Sequence, residues 1–416
     1  MANALLSPKV YSNTFLKLLK NNVVLPKLVS TEVKSDFKKV GDTVYVKRVP
    51  EFVVRDGRVA EVQDVVEGEI AVKIDKQKGV EFEFTSAEDT LTVDSLMKSR
   101  SMNGAAVQLA NTIDMDLHAE TKKFYSWVGT PGQDINSYAD LTKGPQRLDE
   151  MSVEMGDRIG LLHPSDAWAL LGNLSGLTAQ TKEATDALTK AKLPLLGNID
   201  WYSTQNAGTV TTGTRSGNCL VDGADQNVTY ASVKDGNWTQ TLNVDAMGNA
   251  TTAKAGEVLT LAGVYAINPR SKTVMPYLQQ FTLVEDALAN STASGQAALK
   301  ISPPIITSGP FQTVSAAPEN DAAVQWMGDD AEANTDATTY RYGTIFRKEA
   351  LVLVSAKLTE PFSGESSYST DPDTGLTVRY WRSSNSTDDT HMHRFDVLYG
   401  VKNVDPRRGT RISGSA

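Results

Sequence analysis

The chain has 416 residues, 40% hydrophobic and 22% charged, with a net charge of −9; this is more than one core usually serves, so two or more domains are expected, and a disordered chain is excluded. No apolar run approaches 18 residues, which argues against a membrane-spanning helix, and lysines interrupt the N-terminal stretch where a secretion signal would be unbroken and apolar. The single Cys219 excludes an internal disulfide framework and a cysteine-based zinc site.

Residues 1–48 carry nine Lys/Arg against three acids, a charge of +6 that leaves −15 for the rest. Such a start suits an acidic partner or nucleic acid, or is a solvated lysine-rich face. No DNA-reading motif accompanies it, so sequence-specific DNA binding is not expected. Residues 10–26 read as a short amphipathic helix or extended arm. Residues 42–57 and 67–84 alternate as strands, the second with KQKG as a hairpin turn. This pair has no core of its own and is expected to lie on something else. A long helix is expected over 86–128, capped by Thr85 or Ser86, with Glu88 and Asp89 in its first turn. Leu91, Leu96, Ala106, Leu109, Ala110, Ile113, Leu117, Phe124, Trp127 and Val128 recur mostly at helical spacing, Gly104 is a point of division, and VGTPGQD ends the run.

Residues 156–174 read strand, turn, helix with Ser165 as N-cap, and 175–193 as a further helix. Between 209 and 340 the composition turns to Thr, Gly, Asn, Val and Ala. NCLVDG, NVTYASV, WTQTLNV, EVLTLAGVYAIN, QQFTLVED and ALKISPPII read as six strands of a small barrel or sandwich, closed by the acidic turns ENDAAVQ and GDDAEANTDATT. Strands at 343–358, 375–384 and 394–406 are expected to pair with the first α/β part. The inference is an α+β chain with an all-β module inserted.

Chemistry is sparse. Asp114, Asp116, His118 and Glu120 resemble ligands, but on a helix they divide between two faces, so a solvated face is expected. His391 and His393 share one side of a strand without completing a metal set. His163 has no nucleophile motif beside it and reads as a turn histidine; Cys219 reads as inert packing. The six tryptophans are scattered, unlike a stacking platform. No catalytic, cofactor-binding or metal site is expected, and the chain reads as one that makes surfaces.

AAVQLANTIDMDL with AETKKF resembles the spine helix of the major capsid (coat) proteins of tailed double-stranded DNA bacteriophages. GEVLTLAGVYAINPRSK, LQQFTLVED and ALKISPPII resemble the inserted β-barrel of the podophage coat-protein branch, as do WYSTQNAGT and RFDVLYGVKNVDP. The resemblance implies the Hong Kong 97-type fold, in this order: an N-terminal arm (1–49), an extended β-hairpin loop (50–85), a peripheral domain with the spine helix (86–150), a first axial part (151–205), the insertion domain (206–338), a second axial part (339–393) and a closing strand of the peripheral domain (394–416). It implies a structural, non-enzymatic protein of the virion capsid, assembled in the host cytoplasm from hexamers and pentamers. Its partners would be scaffolding and portal proteins and non-specifically packaged DNA, with no membrane. Expected intersubunit contacts are Phe52, Val53, Val54, Ile70, Val72, Phe82 and Phe84; expected charged contacts are Lys17, Lys20, Lys27, Asp321, Asp329, Asp330 and Glu332. The rival readings are a decoration or tail-tube protein and a carbohydrate-binding β-domain protein.

Overall fold

The computed structural model describes residues 8–31, 43–47, 51–52, 57–58, 67–85, 100–174, 197–235, 237–290, 295–328 and 337–415. Val53, Val54, Asp329, Asp330, Glu332, the expected start of the long helix and the expected helix 175–193 lie outside the described residues. In chain order the elements are α1 (Pro8–Asn22), β1 (Thr43–Lys47), β2 (Glu69–Lys73), β3 (Lys76–Thr85), α2 (Arg100–Thr121), β4 (Ser126–Val128), α3 (Tyr138–Glu150), β5 (Arg158–Leu162), α4 (Pro164–Leu174), β6 (Asp200–Ser203), β7 (Thr209–Thr211), β8 (Leu220–Val221) and the short α5 (Tyr230–Val233). Then follow β9 (Gln240–Asp245), β10 (Thr252–Ala253), β11 (Val258–Ile267), β12 (Val274–Leu283), β13 (Ala287–Leu288), β14 (Ala297–Ser302), β15 (Val324–Trp326), β16 (Thr339–Arg341), β17 (Gly343–Arg347), β18 (Leu351–Ala356), β19 (Glu365–Thr370), β20 (Thr377–Asn385), β21 (Thr390–Asn403) and β22 (Gly409–Ile412). Two compact units emerge: unit 1 is Met1–Val44, Ala71–Glu120 and Leu351–Lys402, and unit 2 is Tyr45–Ile70, Thr121–Ala350 and Asn403–Ala416.

Unit 1 is built on a sheet ordered β18-β21-β20-β19, with β3 also paired to β21. Helix α1 begins at Pro8, whose missing N–H is no loss in a first turn. It buries Tyr11, Phe15, Leu16 and Leu19 on one face. Phe15 stacks on Phe395 with ring centroids 4.0 Å apart, and Tyr11 stacks on Tyr380 at 5.3 Å. Helix α2, about 33 Å long at 1.5 Å per residue, buries Met102, Ala106, Leu109, Ile113 and Leu117. It runs unbroken through exposed Gly104 and ends at Thr121. It stops short of the expected end at 128, because Trp127 and Val128 belong to strand β4.

The expected KQKG hairpin turn does not form. Strand β3 passes straight through these residues and pairs antiparallel with β21 from Lys76↔Tyr399 to Thr85↔Thr390. Gly79 lies opposite Asp396, whose carboxylate occupies the space a Cβ would need. The glycine marks a close approach, not a turn. Asp396 is fully buried and accepts from Arg379 (2.5 Å) and Arg394 (2.7 Å).

Unit 2 holds a sheet ordered β4-β22-β17-β5-β6, in which β5–β6 and β4–β22 are parallel and the other pairs antiparallel. Helix α3 packs Leu141 and Leu148 with Ile345 and Ile412, approaching closely at Gly144. Helix α4 starts one residue before the expected cap: His163 Nδ1 accepts the Ser165 N–H at 3.2 Å, so the histidine does the capping. Strands β7 and β16 pair side by side, Thr211 opposite Thr339. Between these two legs stands the β module, a sheet ordered β15-β11-β12-β14-β9-β8. Backbone bonds from Val221 N to Ala322 O and from Val324 N to Cys219 O, both 3.0 Å, join its ends into a barrel. Val244, Leu259, Leu261, Phe281 and Leu299 lie in its dry core. NVTYASV, expected as a strand, supplies the helical turn α5 instead. Part of the expected acidic turn ENDAAVQ begins strand β15.

The closing segment also differs from expectation: β21 belongs to the unit 1 sheet, while β22 lies between β4 and β17 in unit 2. Truncation after Arg408 removes an interior strand and exposes the facing edges of β4 and β17. The expected outcome is insoluble chain where the full chain is soluble, read by sedimentation of expressed protein.

Candidate assembly surfaces and their support

The barrel is held to the five-stranded sheet by buried polar groups. Arg411 on β22 is wholly buried. Its Nε donates to Phe124 O (2.7 Å), one terminal nitrogen to Gly256 O (2.6 Å) and the other to Thr282 Oγ1 (2.9 Å). Its guanidinium carbon lies 5.0 Å from the Trp127 ring centroid and 5.4 Å from that of Tyr342. A planar fork with fixed donors suits such a site where a lysine would not. Burial pulls its pKa down to about 10. Beside it, Gln280 of β12 accepts the Trp127 N–H and donates to the Trp127 carbonyl, each at 2.8 Å. One side-chain amide thus supplies a strand-like rung along β4.

Within the barrel wall, Arg215 and Glu257 form a buried ion pair at 2.8 Å, with Arg215 4.1 Å from the Trp326 ring centroid. Burial raises the Glu257 pKa in spite of Arg215 and the Lys254 N–H. At the other end of the β11–β12 hairpin, Arg147 of α3 lies 3.7 Å from the Tyr277 ring centroid. Asn268 Nδ2 donates to Glu150 O at 2.9 Å. None of Arg411, Gln280, Arg215 or Glu257 stands out in the sequence, since each is one polar residue in a strand-like run.

The DMDLHAE stretch is only partly the solvated face expected. Asp114 and His118 are both buried. Burial lifts the Asp114 pKa to about 6, opposed by the Val24 and Leu25 backbone N–H groups; Val24 N lies 3.2 Å from its carboxylate. Burial lowers His118 to about 4. Asp116 accepts from Tyr399 Oη (2.5 Å) and pairs with Lys76 (2.9 Å). Asp114 is not solvated because the turn after α1 reaches this side of α2, a contact between residues 90 apart in the chain. Among the described residues no group of three His, Cys, Asp or Glu could hold a metal ion. His393 is buried, hydrogen-bonded to Tyr380 Oη at 2.7 Å, while His391 bonds Ser384. Buried Cys219 has its thiol pushed up to about 12 by desolvation.

The contact candidates scatter. Ile70 and Val72 are buried in their own chain, and Phe82 stacks 5.8 Å from His393. Phe84 is half-buried, 5.7 Å from the same histidine. Phe82 and Phe84 lie along β21, some 300 residues on, where their alternation finds the packing it lacks locally; Ile70 and Val72 lie on β2, which pairs with β1. Phe52 remains 53% exposed. Its neighbour Glu51 pairs with Arg407, whose pKa stays raised: burial would lower it, but Asp405 and Glu51 outweigh that. Lys17 and Lys27 are exposed, whereas Lys20 pairs with Asp371 (2.9 Å) and Asp373. Asp321 is exposed at the barrel surface, where Asp245, raised by burial and then by Asp222 and Asp321, lies within its field.

The sequence profile of the family described as P22 coat protein, gene protein 5, matches residues 12–414. No curated protein matches. The structure is similar to that of Mycobacterium phage Che8 (12% identity, 94% of this chain and 90% of the other covered, TM-score 0.46). It is similar to the capsid of Ralstonia phage GP4 (8%, 100% and 94%, TM-score 0.44). Over 28% of the chain it is similar to the CUS-3 coat protein I-domain (19%, 96% of that chain, TM-score 0.18).

Replacing Arg411 by Met leaves the Phe124 and Gly256 carbonyls and the Thr282 hydroxyl without its N–H groups. At about 1–3 kcal/mol for each buried group left unmatched, a loss of at least ~3 kcal/mol in urea unfolding is expected, and about 1–3 kcal/mol for Gln280→Met. The two buried titrating groups of α2 act oppositely on pH. Asp114, raised above its unfolded value, adds stability that is present below about pH 3.8 and lost as pH rises through about 6. His118, lowered from 6.5, adds stability present above pH 6.5 and lost as pH falls through about 4. They offset each other between. Asp114→Asn is expected to make stability fall more steeply than wild type on acidification from pH 6.5 to 4, measured by urea midpoints.

Proposed function

We propose how this chain, which belongs to the P22 coat protein family, builds its shell. It is a structural, non-enzymatic major capsid protein of the icosahedral head of tailed phages, with the Hong Kong 97-type fold and an inserted domain, and it assembles with copies of itself in the virion. The finer reading concerns which parts meet. Hexamers and pentamers form by head-to-tail contacts. Unit 1 serves as the peripheral part, with α2 as its strut and residues 1–49 as the arm. The five-stranded sheet of unit 2 serves as the axial part, and residues 206–338 as the insertion domain. Phe52, with Val53 and Val54, reaches an adjacent subunit from the 50–85 segment. Scaffolding and portal proteins guide assembly, and packaged DNA lies on the inner face. Exposed Lys17 and Lys27 suit an acidic scaffolding surface or DNA better than Lys20, which is already paired.

One observation carries the reading: a closed barrel, strapped to the sheet by Arg411 and Gln280, is presented as a stiff block. Residues 212–338 hold thirteen Asp/Glu against six Lys/Arg. A rigid acidic block can set the register between capsomers through Asp321, Asp329, Asp330 and Glu332. Each exposed pair is worth only ~0–1 kcal/mol, but repetition around a shell multiplies it.

Expressed with its head proteins and viewed by negative-stain electron microscopy, the wild-type chain is expected to form closed shells. Asp321→Lys is expected to give fewer or misshapen shells from a chain that still folds. Raising salt from 0.1 to 1 M, which shortens screening from about 10 to 3 Å, is expected to reduce wild-type yield. Normal shells from the charge reversal together with salt-independent yield would remove the register role. Lys17→Gln with Lys27→Gln is expected to lower scaffolding incorporation or packaged DNA; unchanged values of both would count against the basic-arm role.

A further inference from the structure

We propose that Glu51 and Phe52 form a releasable clasp in unit 2, an ionic catch that opens and closes while Gly68, at the far end of the same stretch of chain, stays seated. Glu51 reaches two cations from different parts of the unit. Its carboxylate pairs with Arg407, in the turn after β21, and lies 3.9 Å from the ammonium of Lys272 in the β11–β12 hairpin. Gly68 is seated by shape. It is buried, and a Cβ there would stand 2.6 Å from Tyr230 Oη and 2.9 Å from the Lys234 carbonyl, so glycine alone fits against α5. Both contacts meet one small aromatic cluster. Tyr230 stacks on Phe311 at 3.5 Å and stands edge-on to buried Trp238 at 5.5 Å, and the Arg407 guanidinium carbon lies 5.8 Å from the Trp238 ring centroid.

The two contacts differ in what their loss leaves behind. Stranding a buried charge by removing its one partner is costly. Arg407 is not in that position, because Asp405 accepts from its Nε at 3.0 Å and from a terminal nitrogen at 3.2 Å. Lys272 likewise donates to the Pro310 carbonyl. With Glu51 away, each cation keeps a partner of its own. The Glu51 side chain is itself 25% exposed, so water meets the carboxylate as it leaves. Opening therefore forfeits only the modest net worth of a partly exposed pair. Phe52 moves with its neighbour. It lines a cavity of about 430 Å³ with Met151, Pro269 and Pro310. Release takes the ring off this wall and closure returns it. The clasp is a property of the single chain; its use, holding back a ring that reaches a neighbour, rests on the reading above.

The test uses the full chain, unassembled. Phe52→Cys carries a nitroxide label, while Cys219, buried and with its thiol pushed up to about 12, stays unlabelled. At low salt the label is expected to be mostly immobile. Adding Glu51→Gln is expected to raise the mobile-to-immobile ratio about fivefold, equivalent to about 1 kcal/mol, and raising salt from about 0.1 to 1 M is expected to move it the same way. Glu51→Gln is expected to leave the melting temperature and the amide exchange of residues 67–70 and 228–238 as in wild type. Gly68→Ala is expected to speed exchange in both stretches. Tyr230→Phe, which removes the hydroxyl nearest the new methyl, is expected to reverse part of that. A label equally mobile with and without Glu51→Gln would overturn the proposal. So would a Glu51→Gln chain that melts far lower or exchanges faster across 228–238, because Glu51 would then be a fixed strut.

Discussion

A guanidinium removed from water must have its N–H groups met by fixed acceptors, and Arg411 meets this condition using three separate parts of the chain. Its acceptors are the end of the turn after α2, the start of the barrel at Gly256, and the hydroxyl of Thr282 on β12. The residue itself lies on a strand contributed by the last few residues. The insertion therefore does not hang from its two paired legs alone. Gln280 bonded along the Trp127 backbone and Arg147 against Tyr277 add further ties between the barrel and the rest of unit 2. For a fold whose net stability is of the order of 5–15 kcal/mol, a node of this size decides whether the block holds.

Unit 1 obeys a related rule with different chemistry. Buried Asp396 is matched by Arg379 and Arg394, and glycine at position 79 leaves room for the carboxylate. The same Arg379 donates to Thr359 O in the loop before β19. A buried ion pair is weak as a source of net stability but strongly opposes being half-broken. It therefore suits a position that must be held, and here it links the interior of the sheet to a surface loop. Tyr380 and Phe395 receive Tyr11 and Phe15 of α1, so this part of the basic N-terminal segment is docked on its own chain.

For a shell subunit, both arrangements separate two tasks. Stiffness comes from buried, direction-demanding groups. On the assembly proposed above, association falls to exposed groups that are individually weak, Phe52, Asp321, Lys17 and Lys27. Weak and numerous contacts let misplaced subunits detach, while the rigid interior keeps the geometry that closure needs.

The sequence by itself determined the elements whose signal is local. The apolar spacing of α2, the β composition of 209–340 and the return of strands after 343 are periodicities that any partner would satisfy. The family resemblance rested on these and on their order. What only the tertiary structure decided were the pairings between distant residues. Gly79 reads as a turn until Asp396 is placed opposite it. Asp114 reads as solvated until the turn after α1 meets it. Phe82 and Phe84 read as coreless until β21 lies alongside. Arg411 gave no signal at all, because two of its three acceptors are backbone carbonyls, which every residue has and no sequence pattern marks. Local periodicity records which face of an element is apolar; it does not record which distant group will meet the polar atoms left on that face.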